Sequence, residues 1–346
     1  MSSLSDVLKL PSLKPLIGVS ADFYQQYLSQ FLPHNFQFSG IETSLYTAER
    51  TSDFLVEIKP GTLSWIHQNY HDKLLTQQSK HRLNCLFDGT SLLSSSVRNI
   101  WLEYDWLTVK DQISNSLSPS YFFGSSSNEC NAYGLLQSVF NSLPTSTVDK
   151  VISTAQLHGL SLTQAGFMSA RHAPSTRLVF TSSSFFPIES FLSSIGLPRL
   201  HNDLFRLFIT RSSPSLLALG LDISHSGTIR QAYGIEIYQE WMNRSSWSSL
   251  ISNLLDLYGF CPKASALENS FISQEFFPSI YNQPFSQLSQ PHYVLVNKVY
   301  AAPHHLKASF SSTNTCPSFK AYLGFLFPHL LRINNETVLS ESYAHQ

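Results

Sequence analysis

An α/β (α+β) fold, a closed or nearly closed antiparallel β-barrel of about ten strands surrounded by helices, is what the chain predicts. Three observations carry it. Five pairs of short runs rich in β-branched and aromatic residues recur along the chain, segments of helical period separate the pairs, and no Gly-rich strand-to-helix fingerprint of a parallel sheet interrupts them. Antiparallel hairpins expose their edges; joining them into a ring removes those edges, and the helices then cover the outer face. The inside is left for a ligand. One domain over residues 1–332 is expected, with a frayed tail over 333–346.

The elements follow in order. Ser20 stands ahead of Tyr24, Leu28 and Phe31 at helical spacing, which predicts an N-capped amphipathic helix ended by Pro33. Ile41–Tyr46 and Phe54–Ile58, around a polar 49–53 turn, make the first hairpin. Trp65, Ile66, Tyr70, Leu74 and Leu75 predict a helix over Ser64–Gln78. Ile100–Trp106 and Tyr121–Phe123 form the second hairpin, and the serine-rich stretches Ser91–Ser96 and Ser118–Ser127 read as flexible polar connections. Helices are expected at Tyr133–Leu143 and Thr147–Leu157, and the third hairpin at Phe167–Arg171 and Arg177–Thr181. Helical patterns recur at Pro187–Ile195 and Asp203–Ile209, Leu216–Ser224 and Tyr233–Glu240 are expected to flank a turn at Gly227, and helices are expected again at Trp247–Tyr258 and Ala264–Phe277. Leu306–Phe310 and Phe319–Phe327 close the series, with Val294–Tyr300 as a preceding or continuous strand.

Composition narrows the function classes. With 42% hydrophobic and 13% aromatic residues, including 25 Phe and 15 Tyr, the 346-residue chain can fill a large core and still line a cavity with rings. Charged residues are only 13%, and 22 Lys plus Arg against 23 Asp plus Glu leave a net charge of −1, so no basic field draws nucleic acid or anionic lipid. The four cysteines lie far apart with no CxxC pair, which speaks for free thiols in a reducing, cytoplasmic setting. No run of about 18 apolar residues predicts a membrane span. GxSxG, P-loop and GxGxxG signatures are missing, which lowers hydrolase and nucleotide-dependent readings.

Strand alternation decides which polar groups share a face. Lys298 pairs with Tyr300, Lys320 with Tyr322 and Glu236 with Tyr238, while Arg177 and Lys307 also fall inside strands. An interior ring of cations and phenols would hold an anionic group; the plain alternative is a strand face turned to water. Glu103 and Asp105 share a face as a glycosidase pair would, but sequence does not give their separation across a cleft. His304 and His305, being adjacent, are expected to point opposite ways and to sit exposed in a loop.

The Lys298-Val299-Tyr300 and Lys320-Ala321-Tyr322 strands, and a first hairpin with Glu42-Thr43-Ser44-Leu45 followed by Phe54-Leu55-Val56-Glu57-Ile58, resemble the ABBA prenyltransferases, the family of fungal indole and cyanobactin prenyltransferases. The resemblance spans most of the chain as architecture. It implies transfer of an isoprenoid from an allylic diphosphate to an aromatic or other nucleophilic acceptor, a peptide side chain or an indole-like metabolite. Arg177, Lys298, Lys307 and Lys320 would bind the diphosphate, Tyr238, Tyr300 and Tyr322 would shield the allyl cation, and Glu42 would be the acceptor-activating base. It implies no obligatory cofactor and, with no DDxxD motif, no metal–diphosphate cage; magnesium dependence is left open. One departure stands out: where the family's second strand bears an Arg, this chain has Asp53-Phe54-Leu55. If Glu103, Asp105, Asp222 and Glu236 all faced the lumen they would oppose an anionic donor, so either some face outside or the ligand differs. The competing reading is a non-catalytic barrel that binds a peptide or apolar small molecule.

Overall fold

The computed structural model describes residues 11, 13–17, 38–45, 52–58, 76–105, 119–125, 131–141, 143–169, 173–198, 216–239, 243–259, 263–275, 293–294, 298–311, 317–326, 331–334 and 337–339. The expected helices over 20–31 and 203–209, and all but the last residues of the one over 64–78, lie outside them.

Ten strands close into a ring in which each neighbouring pair is antiparallel. They are β1 (Phe38–Ser44), β2 (Ser52–Ile58), β3 (Val97–Tyr104), β4 (Ser120–Ser125), β5 (Ser161–Phe167), β6 (Ser175–Ser182), β7 (Leu216–Ser224) and β8 (Ile229–Tyr238), followed after an interval by β11 (Lys298–Ser311) and β12 (Ser318–Leu326). Sequence neighbours pair around the ring, β8 meets β11, and β12 returns to β1. The short β9 (Ile272–Glu275) pairs with the first part of β11, and β10 (Tyr293–Val294), β13 (Leu331–Asn334) and β14 (Thr337–Leu339) form a separate three-stranded sheet.

Period-two alternation sorts each strand into an apolar outer face and a mixed inner one. On β2, Phe54, Val56 and Ile58 are buried outward, while Asp53, Leu55 and Glu57 between them are only partly covered. Ile100 and Leu102, Leu178 and Phe180, Ile235 and Ile237, Leu306 and Ala308, and Phe319, Ala321 and Leu323 repeat the outward set on other strands, each at or near zero exposure. The helices that cover them bring matching stripes. They are α1 (Lys14–Ile17), α2 (Gln77–Phe87), α3 (Ala132–Val139), α4 (Thr145–Leu157), α5 (Phe185–Ser194), α6 (Arg244–Tyr258) and α7 (Ala264–Glu268). On α4 the stripe is Val148, Val151, Ile152 and Ala155, an i, i+3, i+4, i+7 pattern. Thr76, Asn131 and Asn243 cap α2, α3 and α6 by each accepting the backbone N–H three residues on.

Several sequence expectations shift. The third hairpin begins at Ser161, not Phe167, because Ser161-Leu162-Thr163-Gln164 is polar and a register break between Leu162 and Gln164 interrupts its alternation. The helix expected over Ala264–Phe277 stops at Glu268, and Ile272–Glu275 becomes a strand against β11. The Ser118–Ser127 stretch holds β4, and Ser94–Ser96 is one 3₁₀ turn. Val294–Tyr300 is continuous with the later strand from Lys298 onward. Helix α2 was not read from the sequence, its apolar residues Leu83, Leu86 and Phe87 being few among polar neighbours.

Phe180 on β6 is fully buried and packs on Phe191 of α5 with ring centroids 5.7 Å apart. Phe180→Ala is therefore expected to cost about 3–5 kcal/mol of folding stability, read by urea denaturation, through the cavity it leaves between barrel and helix.

Candidate functional site

The inward faces carry the chain's polar strand residues, and the closure of the ring lines them up. Following the register from β2 through β1, β12 and β11 to β8, directly opposed residues are Asp53, Glu42, Tyr322, His305 and Tyr238. One row therefore crosses five strands. Lys320 and Lys307 are opposed two residues away on the same faces, and Lys307 is opposed to Glu236. Arg177 is opposed to Asp222 across β6 and β7.

Each of these cations meets a carboxylate. Arg177 donates to both oxygens of Asp222, Nε to Oδ1 at 2.7 Å and Nη2 to Oδ2 at 2.9 Å, a bidentate pair with little exposure on either side. Lys320 bridges Glu42 at 2.9 Å and Asp53 at 3.3 Å. Lys307 stands looser, 3.5 Å from Glu236. Of the strand carboxylates read from the sequence, Asp222 and Glu236 lie against inward cations and Glu103 lines the same cavity, as Glu42 and Asp53 lie against Lys320, while Asp105 is not among the residues that line it. A charge taken out of water is tolerated only when paired, which is why the acids sit beside the cations rather than away from them.

Two phenols complete the pairs. The Tyr322 hydroxyl donates to Glu42 Oε2, and Tyr238 donates to Glu236 Oε2 at 2.8 Å. Burial and the adjacent carboxylates raise both phenols well above their ordinary range, so they stay protonated donors. Burial by itself would raise Glu42, but Lys320 and Lys307, with hydrogen bonds from Tyr322 and Lys320, outweigh it and hold the carboxyl far below the usual range. Glu42 is charged at any working pH.

A cavity of about 100 Å³ opens among these side chains, walled by Trp101, Phe122, Tyr238, His305 and Tyr322 and reached by Arg177, Lys307, Glu103 and Glu236. Inward glycines clear it. A Cβ on Gly234 would stand 2.8 Å from Cε of Lys307, and one on Gly166 would stand 2.5 Å from the Phe122 ring. Of the residues singled out from sequence, Arg177, Lys307, Tyr238 and Tyr322 reach the cavity. Glu42 lies behind Tyr322, and Lys320 beside it keeps 37% of its side chain exposed. Lys298 and Tyr300 are placed by backbone pairing alone, opposite Glu275 and Leu326; their side chains are outside the described residues.

The histidines overturn their expectation. The register shifts between Pro303 and His305, and this bulge brings the consecutive His304 and His305 together, both lining the cavity, with their Nδ1 atoms 2.9 Å apart. Pro303 was the available signal, since a proline inside a strand marks a bulge or an edge. His305 stacks on Tyr322 with centroids 3.8 Å apart and planes 25° apart, and Tyr238 lies 4.6 Å away on its other side. Burial lowers His304 to about 4; burial, His304 and Lys307 push His305 well below its ordinary value. Both are neutral at pH 7. Trp101, Phe122 and Gln164 are further cavity residues that sequence reading missed.

Among the described residues no group of three His, Cys, Asp or Glu side chains is arranged to hold a metal ion, and no helix is long and apolar enough to cross a membrane. No protein-family profile and no curated sequence matches the chain. Solved structures do. A 6-dimethylallyl tryptophan synthase superposes with a TM-score of 0.54 at 12% identity, over 93% of this chain and 96% of its own. 5-Dimethylallyltryptophan synthase from Streptomyces coelicolor gives 0.51 at 10% identity, over 93% and 97%. The likeness is one of fold: the chain has the closed antiparallel barrel of the ABBA prenyltransferases.

The neutral histidine pair sets an acid limit on stability. A histidine held at about 4 when folded refuses protons that the unfolded chain takes from pH 6.5 downward, so stability falls as pH drops through that window and is complete above it. In thermal melts between pH 7 and pH 4, the double variant His304→Gln/His305→Gln is expected to lose less stability on acidification than the wild type.

Proposed function

We propose that the chain is a prenyltransferase that moves an isoprenoid from an allylic diphosphate to an electron-rich aromatic acceptor inside the barrel. The observation that carries this reading is the cavity wall, where the protonated phenols Tyr238 and Tyr322, the rings of Trp101 and Phe122, and the Lys307 ammonium converge in one water-poor space. Aromatic faces stabilise a passing allyl cation and exclude the water that would quench it. A fixed ammonium stabilises the departing diphosphate without reorganising.

Lys307 is the cation best suited to the donor. Its contact with Glu236 is long, whereas Arg177 is committed bidentately to Asp222 and so serves the barrel's electrostatic frame. Lys320 extends the same cationic side, and the roles of Lys298 at the diphosphate and Tyr300 at the allyl cation are proposed from their strand pattern alone. Glu42 acts as a fixed negative charge that aligns Tyr322 and offsets positive charge developing in the acceptor; so low a proton affinity suits an anchor. The cavity is smaller than the roughly 300–1,000 Å³ of ordinary small-molecule sites, so donor and acceptor together require its walls to part. The donor needs no resident cofactor for this chemistry; magnesium would enter with the diphosphate.

One observation favours a second reading. Around the cavity the described carboxylates Glu42, Asp53, Glu103, Asp222 and Glu236 face the described cations Arg177, Lys307 and Lys320, an arrangement that also suits a barrel binding an apolar or peptide ligand with no diphosphate. Calorimetric titration with inorganic pyrophosphate separates the two, since only the transferase reading expects binding.

The deciding assay incubates the protein with dimethylallyl, geranyl or farnesyl diphosphate and a panel of indoles, aromatic amino acids and aromatic peptides, with and without magnesium, and reads products by mass spectrometry. Mass gain by one isoprenyl unit set is expected; no product across the panel would sink the reading. Lys307→Met is expected to raise the donor KM by about 10–100-fold, the loss of one charge-assisted hydrogen bond, in steady-state kinetics.

A further inference from the structure

We infer that the His304–His305 pair is the proton acceptor of the cavity and relays the proton outward, an assignment that rests on the prenyl-transfer reading. Alkylation of an aromatic carbon must end with loss of a proton. The allylic C–O bond breaks with its electron pair leaving on the diphosphate, a bond forms from the ring carbon to the allyl carbon, and the ring C–H pair then returns to the π-system. The proton so released needs a base within the cavity.

His305 fits that need by position. It is 7% exposed, lies in the cavity wall, and its Nε2 has no hydrogen-bond partner among the described residues. Such a buried and unsatisfied nitrogen is an unusual feature in a folded core. Glu236 Oε2 stands 3.8 Å from that nitrogen, too far to be a hydrogen bond and close enough to stabilise the imidazolium once it forms. The other nitrogen, Nδ1, meets Nδ1 of His304 at 2.9 Å. With both rings neutral, one Nδ1 carries the shared proton; when His305 carries it, Nε2 presents its lone pair to the cavity. A proton arriving at Nε2 then allows the Nδ1 proton to pass to His304, which is less buried than His305. One proton enters at His305 Nε2 and one leaves from His304, which turns both rings to their other tautomers; exchange with water after product release, a proton returning to His304 and the Nε2 proton leaving His305, restores the starting pair.

The surroundings agree from each packed element. Lys307 on the same strand disfavours a resting imidazolium, Glu236 and Tyr238 face the pair from β8, Tyr322 stacks on His305 from β12, and the Glu42 carboxylate of β1, which accepts from Tyr322, favours the imidazolium. Glu103 and Glu236 are the carboxylates that reach the cavity, but Glu236 already accepts from Tyr238 and holds Lys307. The bulge at Pro303 makes the arrangement available, because regular alternation would put only one of two consecutive histidines inside.

The test uses the full chain, an allylic diphosphate, and an acceptor found in the panel that is alkylated at carbon. His305→Gln is expected to slow product formation by about 10²–10⁴-fold with the donor KM unchanged. It is also expected to show a primary isotope effect with ring-deuterated acceptor that the wild type lacks, and to regain rate with added imidazole. His304→Gln is expected to lose less. Wild-type turnover in His305→Gln would overturn the inference while leaving prenyl transfer standing, as would a loss without isotope effect or imidazole rescue, which would make His305 a positioning residue. A wild-type protein that consumes no allylic diphosphate would remove both readings together. Should His305→Gln fail to fold in a thermal melt, His305→Asn and the acid limb of the wild-type kcat profile decide: turnover falling on acidification in the wild type and flattened in His304→Gln supports the pair, and an unchanged limb overturns it.

Discussion

The pairing of β1 with β12 is the constraint on which the rest depends. Without it the sheet has two open edges and its polar inner face lies against water. With it, residues 280 positions apart in sequence become direct neighbours, Glu42 opposite Tyr322, and the polar inner face surrounds a cavity. Seven further antiparallel pairings in the ring connect strands consecutive in sequence, and the β8–β11 and β11–β12 pairings complete the return. The local hairpins can form early, whereas this last closure joins the first described strand to the last of the ring and carries the largest loop-closure cost.

Closure also inverts the usual arrangement of a small barrel. Here the apolar faces look outward into a helix layer, so the hydrophobic core is a shell around the barrel, and the polar residues are concentrated at its axis. In that setting charges are stable only in pairs, and each pair is written into the register: Arg177 opposite Asp222, Lys307 opposite Glu236, Lys320 beside Glu42 and Asp53. The frame of ion pairs fixes the phenols, since Tyr322 and Tyr238 each donate to a carboxylate that a lysine holds in place. Removing one partner would leave its mate buried and uncompensated, which links the stability of the barrel to the electrostatics of its cavity.

The sequence made the architecture legible because alternation survives in most strands. Phe54-Leu55-Val56-Glu57-Ile58 and Phe319-Lys320-Ala321-Tyr322 read directly as one apolar and one polar face, and the structure gives each face the place that closure demands. Where the alternation fails, so did the reading. Ser161–Gln164 is polar and irregular, and Ile272–Glu275 is a four-residue strand whose identity comes from β11 and not from its own composition. The site was legible in part for the same reason. Arg177, Lys307, Tyr238 and Tyr322 follow from alternation, but which carboxylate meets which cation is a matter of register between distant strands, and no local pattern encodes that.

The histidine pair shows what a one-residue irregularity can do. A strand offers one side chain in two to its inner face, so two adjacent imidazoles in one cavity require an added residue, and β11 supplies it next to Pro303, whose missing N–H weakens the ladder there in any case. The consequence is electrostatic as much as geometric. A row of phenols and carboxylates linked to lysines has hydrogen-bond donors, anchors and fixed charges, but its acids are held ionised or engaged and its phenols are held protonated. Neither Glu42 nor the two phenols changes protonation readily near neutral pH. The bulge inserts into this fixed row two neutral imidazoles, one stacked on Tyr322 and one leading outward, and so adds to a static field the one kind of side chain able to take up a proton and give it away.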